Sequence, residues 1–144
     1  MKKLIFIFGL ILFSSCTTST LEDETENPDS GKDRVVRMEF NTTLLGFDEI
    51  RISYFDYKTN TNPLVVHEFS YDTAGQPIPL VITFENYDFR FINGEAYRNN
   101  PSTEEISVKV YVDDELVIEE AERGKNGEYA EIRFNYDIVL KKNI

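Results

Sequence analysis

From Arg34 onward, apolar residues return at every second position, the period of a strand with one buried and one solvated face. Val36, Met38 and Phe40 alternate with Arg37, Glu39 and Asn41, and Ile50, Ile52 and Tyr54 alternate with Arg51, Ser53 and Phe55. A third run, Val65 to Tyr71, is set off by Thr59-Asn60-Thr61-Asn62-Pro63. A fourth, Leu80, Ile82 and Phe84, is entered through Ala74-Gly75-Gln76-Pro77. Phe89 and Phe91 lead to Asn93-Gly94, the dipeptide that most favours a two-residue hairpin turn, so the chain is expected to reverse there. Ile106, Val108, Val110 and Val112 face one way and Ser107, Lys109 and Tyr111 the other. Asp113-Asp114 then turns the chain into Leu116 to Ala121, and Ala130 to Ile138 closes the series.

Eight short strands separated by turn residues, with no useful helical stretch, predict an all-β fold: an antiparallel sandwich of about 7–9 strands. A buried and a solvated face on each strand suits two packed antiparallel layers. A small open barrel is the alternative. Burial contributes roughly 1.5–3 kcal/mol for each large apolar side chain, so the inward residues of one domain, 34–144, suffice for a core. There is no internal repeat.

The N-terminus follows a different rule. Lys2 and Lys3 precede an uncharged apolar run, Leu4 to Phe13, which gives way to Ser14, Ser15 and Cys16. That is the layout of a secretory signal. As a helix the run rises only about 15 Å against a bilayer core of roughly 30 Å, too little to span. Phe13-Ser14-Ser15-Cys16 resembles the lipobox of bacterial lipoproteins, although Phe13 replaces the usual leucine. The resemblance implies a leader over 1–15 and a lipidated Cys16, hence a membrane partner through that lipid. Two or more acyl chains would make the attachment stable. Residues 16–33 then form an acidic linker with one apolar residue, Leu21, too polar to fold. Glu22-Asp23-Glu24 resembles the export tag of surface-exposed lipoproteins of Bacteroidota, which implies an outer-membrane address. A merely solvated tether reads equally well.

The stretch VKVYVDDELVIEEAERG and the following YAEIRFNYDI resemble the closing strands of small immunoglobulin-like lipoproteins of Bacteroidota. That resemblance, over roughly Ile106 to Leu140, implies an immunoglobulin-like β-sandwich and an envelope address. It brings no active site with it.

Composition narrows the chemistry. Cys16 is the only cysteine, so with Cys16 as the anchor the domain has no disulfide, thiolate nucleophile or cysteine-based metal site. Charge is −11 over the whole sequence, with 26 acidic residues, and loss of Lys2 and Lys3 makes the mature chain more acidic still. Such a surface repels nucleic acid, so no nucleic-acid partner is expected. His67 is the only histidine. No Gly-x-Ser-x-Gly elbow or phosphate-binding glycine loop accompanies it, so no catalytic set and no cofactor are expected.

Asp113, Asp114 and Glu115 form an acidic turn that could hold calcium, although they lack the spaced pattern of a calcium loop. A solvated turn is the simpler reading. Among the aromatics, Tyr57 and Tyr111 are the candidates for outward rings that stack on a sugar or peptide. The alternative is ordinary cross-strand packing. Asn41-Thr42-Thr43 matches a glycosylation acceptor and carries no weight in a bacterial lipoprotein. Three readings remain: a non-catalytic binding or structural module of the cell envelope with a protein or glycan partner, a glycan- or calcium-binding module, and, with least support from the residues, a hydrolase.

Overall fold

Burial follows the alternation residue by residue. In the computed structural model, which describes residues 33–43, 49–99, 103–125 and 127–144, strand β1 (Arg34–Thr42) buries Val36, Met38, Phe40 and Thr42 and half-exposes the residues between them. The remaining strands are β2 (Glu49–Tyr54), β3 (Leu64–Glu68), β4 (Leu80–Tyr87), β5 (Phe91–Arg98), β6 (Glu105–Val112), β7 (Glu115–Arg123), β8 (Glu131–Asp137) and β9 (Lys142–Asn143). The leader, Cys16 and the tether through Lys32 lie outside the described residues.

Two antiparallel sheets result, ordered β4-β1-β6-β7 and β3-β2-β5-β8-β9. They form the sandwich that the alternation predicts. The chain does not finish one sheet before starting the other. β1 lies in the four-stranded sheet, β2 and β3 in the second, β4 back in the first and β5 in the second. β6 and β7 then return to the first sheet, and β8 and β9 to the second. Each crossing leaves a strand with one solvated face, which is why polar residues recur so regularly.

Between the sheets, Phe40 from β1 meets Phe134 from β8 with ring centroids 6.4 Å apart, in a core that also holds Ile52, Ile92 and Val108, all fully buried. Arg98 is also fully buried. Its guanidinium donates to Thr42 Oγ1 at 2.7 Å and to the Glu105 carbonyl at 2.9 Å, tying β5 of one sheet to β1 and β6 of the other. Hydrogen bonds to a charged donor are about twice as strong as neutral ones, so this is a firm clamp at that end.

Two local readings of the sequence change. Asn93-Gly94 is not a turn: both residues lie inside β5, paired with Asn135 and Phe134 of β8. Its glycine serves space rather than a reversal. A Cβ on Gly94 would stand 2.6 Å from Phe134 Cζ and 3.1 Å from the Ser53 carbonyl oxygen, so a bare Cα is what lets the Phe134 ring lie across β5. The third apolar run also stops early, at Glu68. Phe69 turns into the core at 6 % exposure, and Tyr71 makes an isolated bridge to Pro77.

A ninth strand, two residues long, completes the second sheet. It is placed by Asp137, whose Oδ1 accepts the N–H groups of Val139 and Leu140, both at 3.0 Å, while Oδ2 takes Arg90 Nε at 3.0 Å and a terminal guanidinium nitrogen at 2.6 Å. The Arg90 hydrogen bond, with the two backbone N–H groups and the Arg90 charge, holds the Asp137 carboxyl below its ordinary value of 3.8. A lowered folded value means that its stabilisation is complete above 3.8 and is lost as pH falls through the depressed value. Asp137→Asn keeps an acceptor for the turn but removes the charge. Its urea midpoint is therefore expected to fall below that of the wild type at pH 7 and to converge on it in strong acid. A constant gap across that range would show that the ionised form is not what matters.

The hairpin expected at Asp113-Asp114 is present. Both residues adopt positive φ, 51° and 64°, the backbone of a two-residue type I′ turn that short polar side chains tolerate. Asp113 also reaches β1: its N–H donates to the Val35 carbonyl and its Oδ1 accepts the Val35 N–H, each at 2.9 Å.

Candidate binding site

The outward residues of the five-stranded sheet fall into rows set by register. Ser53 of β2, Glu95 of β5 and Arg133 of β8 stand opposite one another. The next row is Val66, Arg51, Tyr97 and Glu131, and on the other side Asn93 faces Asn135. Their neighbours along each strand, Ile52, Ile92, Ala96 and Ile132, are buried, which fixes these side chains on the solvent face.

Two shallow depressions lie on this face and share Glu95. One of about 460 Å³ is lined by Ser53, Tyr54, Phe55, Asn62, Asn93, Gly94 and Glu95. The other, about 250 Å³, is lined by Glu95, Tyr97, Tyr129, Glu131 and Arg133. Tyr129 is 56 % exposed, while Phe55 and Tyr97 are half-buried. Arg133 is neutralised where it stands, 2.6 Å from Glu131 and 3.6 Å from Glu95. The face therefore offers aromatic carbon, amides, a hydroxyl and carboxylates, with Arg133 paired and Arg51, opposite Tyr97, 3.9 Å from Glu49.

Tyr57 stands behind the first depression. Its hydroxyl donates to Asn93 Oδ1 at 3.0 Å, and its ring stacks on Phe89 at 5.0 Å and meets Phe55 edge-on at 4.5 Å. Burial raises the Tyr57 phenol above its ordinary value, offset in part by the Asn93 bond; burial does the same to Tyr87, 6.4 Å away in the same cluster. Tyr57 thus orients a depression-lining amide. Tyr111 is on the outer face of the other sheet, where the Arg37 guanidinium covers its ring at 3.9 Å, a cation–π contact.

The acidic turn is not gathered on one point. The Asp113 carboxylate holds Val35, the Asp114 side chain is 96 % exposed and 3.9 Å from Arg37, and Glu115 lines a separate cleft of about 230 Å³ with Arg34 and Lys141. Among the described residues, no three histidine, cysteine, aspartate or glutamate side chains come together as a metal site would require. His67, on edge strand β3, pairs with Ile50 and meets Phe69 edge-on at 5.0 Å; desolvation lowers its pKa from 6.5.

Tyr57 and Tyr111 are legible in the sequence as ring candidates, whereas Asn93, Glu95, Tyr97 and Arg133 are not legible as a set. Their one signal is the outward alternation Asn93, Glu95, Tyr97, which a reversal at Asn93-Gly94 would break in two. No protein-family model matches the chain and no curated protein matches it.

Proposed function

We propose that this chain is a lipid-anchored, non-catalytic binding module of a bacterial cell envelope, held at the outer membrane through Cys16. The observation that carries the reading is the sole cysteine at the end of a short apolar leader, with an acidic, almost wholly polar segment between it and the first strand. An acyl anchor followed by such a segment sets an anionic domain clear of a membrane whose charged lipids repel it. The groove-bearing outer face of the five-stranded sheet is the surface such a module would present to an envelope partner.

Membrane fractionation of cells expressing the full chain tests the address. Wild-type protein is expected in the membrane pellet and in the detergent phase of a Triton X-114 partition. Cys16→Ser is expected in the soluble fraction or as unprocessed precursor outside the acylated pool. A Cys16→Ser protein that has lost its leader and still partitions like the wild type would overturn the reading.

A further inference from the structure

We infer that the outer face of the five-stranded sheet binds an uncharged oligosaccharide, laid along β5 from Asn62 and Phe55 at one end to Tyr129 at the other, with Glu95 at its middle. The inference rests on the binding-module reading and names that module's face and ligand class.

A neutral sugar chain presents flat patches of C–H bonds rimmed by hydroxyls. It is held by exposed aromatic faces and by planar polar groups at their edges. Both are here. Tyr129 is 56 % exposed beside Tyr97, and Phe55 sits at the far depression. Between them lie the Ser53 hydroxyl, the Asn93 amide and the Glu95 carboxylate, and the Asn62 amide lines the depression with Phe55. The Tyr57 hydroxyl, by occupying Asn93 Oδ1 at 3.0 Å, fixes which way that amide points. The Asn93 amide nitrogen reaches Asn135 Oδ1 at 3.5 Å, which leaves one of its two N–H bonds as a preset donor, less costly to engage than a freely rotating one.

Charge selects against other ligands. Among the described residues that line the two depressions the one cation, Arg133, is compensated by Glu131 and Glu95, and Arg51 in the adjoining row lies 3.9 Å from Glu49, so little is offered to a phosphate or uronate, and the net charge of −11 repels polyanions. A peptide is disfavoured for a different reason. The groove follows β5 and β2, each of which is paired with a neighbouring strand on both flanks. An extended peptide docks by adding main-chain hydrogen bonds at an open edge, and along β5 there is no open edge. A sugar has no such need. From Asn93 to Tyr97 the strand rises about 13 Å, and the depressions are open along that length, which suits the interior of a chain rather than one ring.

The test is affinity electrophoresis of the full chain, purified in mild detergent, through native gels carrying β-glucan, xylan, galactomannan or α-mannan, with polygalacturonate as the anionic probe. Retardation is expected in at least one neutral gel and not in polygalacturonate. Tyr129→Ala and Asn93→Ala, checked for folding by circular dichroism, are each expected to weaken that affinity at least tenfold. Leu116→Ala, on the other sheet, should leave it unchanged. Migration unaffected by every neutral polymer, equal retardation by polygalacturonate, or retardation that survives both groove substitutions would each overturn the inference. If the chain is acylated and membrane-bound in the same preparation, that failure leaves the anchored-module reading standing; a chain that is not acylated overturns that reading instead.

Discussion

Phe40→Ala is expected to remove about 3–5 kcal/mol of folding stability, the usual cost of emptying a fully buried aromatic site. Phe40 has no exposed surface. It lies on β1, flanked on both sides by β4 and β6, so its backbone cannot shift inward to fill the space without breaking two ladders. Its ring also loses Phe134, tilted 44° at 6.4 Å across the sandwich. Urea unfolding should show a lower midpoint with an unchanged slope, the mark of lost stability without a change in the surface exposed. A loss below about 1 kcal/mol would mean that the sheets can close over the cavity, which two well-packed layers should resist.

Gly94→Val is expected to cost about 1–3 kcal/mol by overpacking. Strand propensity alone predicts the opposite sign, because valine is favoured and glycine disfavoured within strands. The clash decides it: the added Cβ meets Phe134 Cζ at 2.6 Å and the Ser53 carbonyl at 3.1 Å. Phe134→Leu should partly rescue the variant, so the double mutant is expected to be less destabilised than the two single losses together by roughly 0.5–3 kcal/mol. Strict additivity, or a stabilised Gly94→Val, would show that the ring and the glycine do not share that space. Phe40, Phe134 and Gly94 thus form one packed stack through both layers.

Much of this fold is written in the period of two. Burial in β1 and β6 matches the alternation position by position, because a strand in a two-layer sandwich has only two environments to offer. The Asp113-Asp114 hairpin was legible because its signal is local: both residues accept positive φ. Asn93-Gly94 carries the same local signal and is overruled by a partner 40 positions away in the chain, Phe134, which no local pattern contains. The same limit applies to the groove. Ser53, Glu95 and Arg133 become neighbours only through register between β2, β5 and β8, a long-range property. Tyr57 was found for its ring, and its place is set by its hydroxyl on Asn93. Cys16, in contrast, is read from a signal that is linear by nature.

The chemical state of that cysteine decides whether the domain is anchored. Intact-mass analysis of the protein purified from bacterial membranes is predicted to show a chain that begins at Cys16 and carries the mass of a diacylglyceryl group and its acyl chains. A chain that still begins at Met1, or one cut elsewhere and free of lipid, would contradict it.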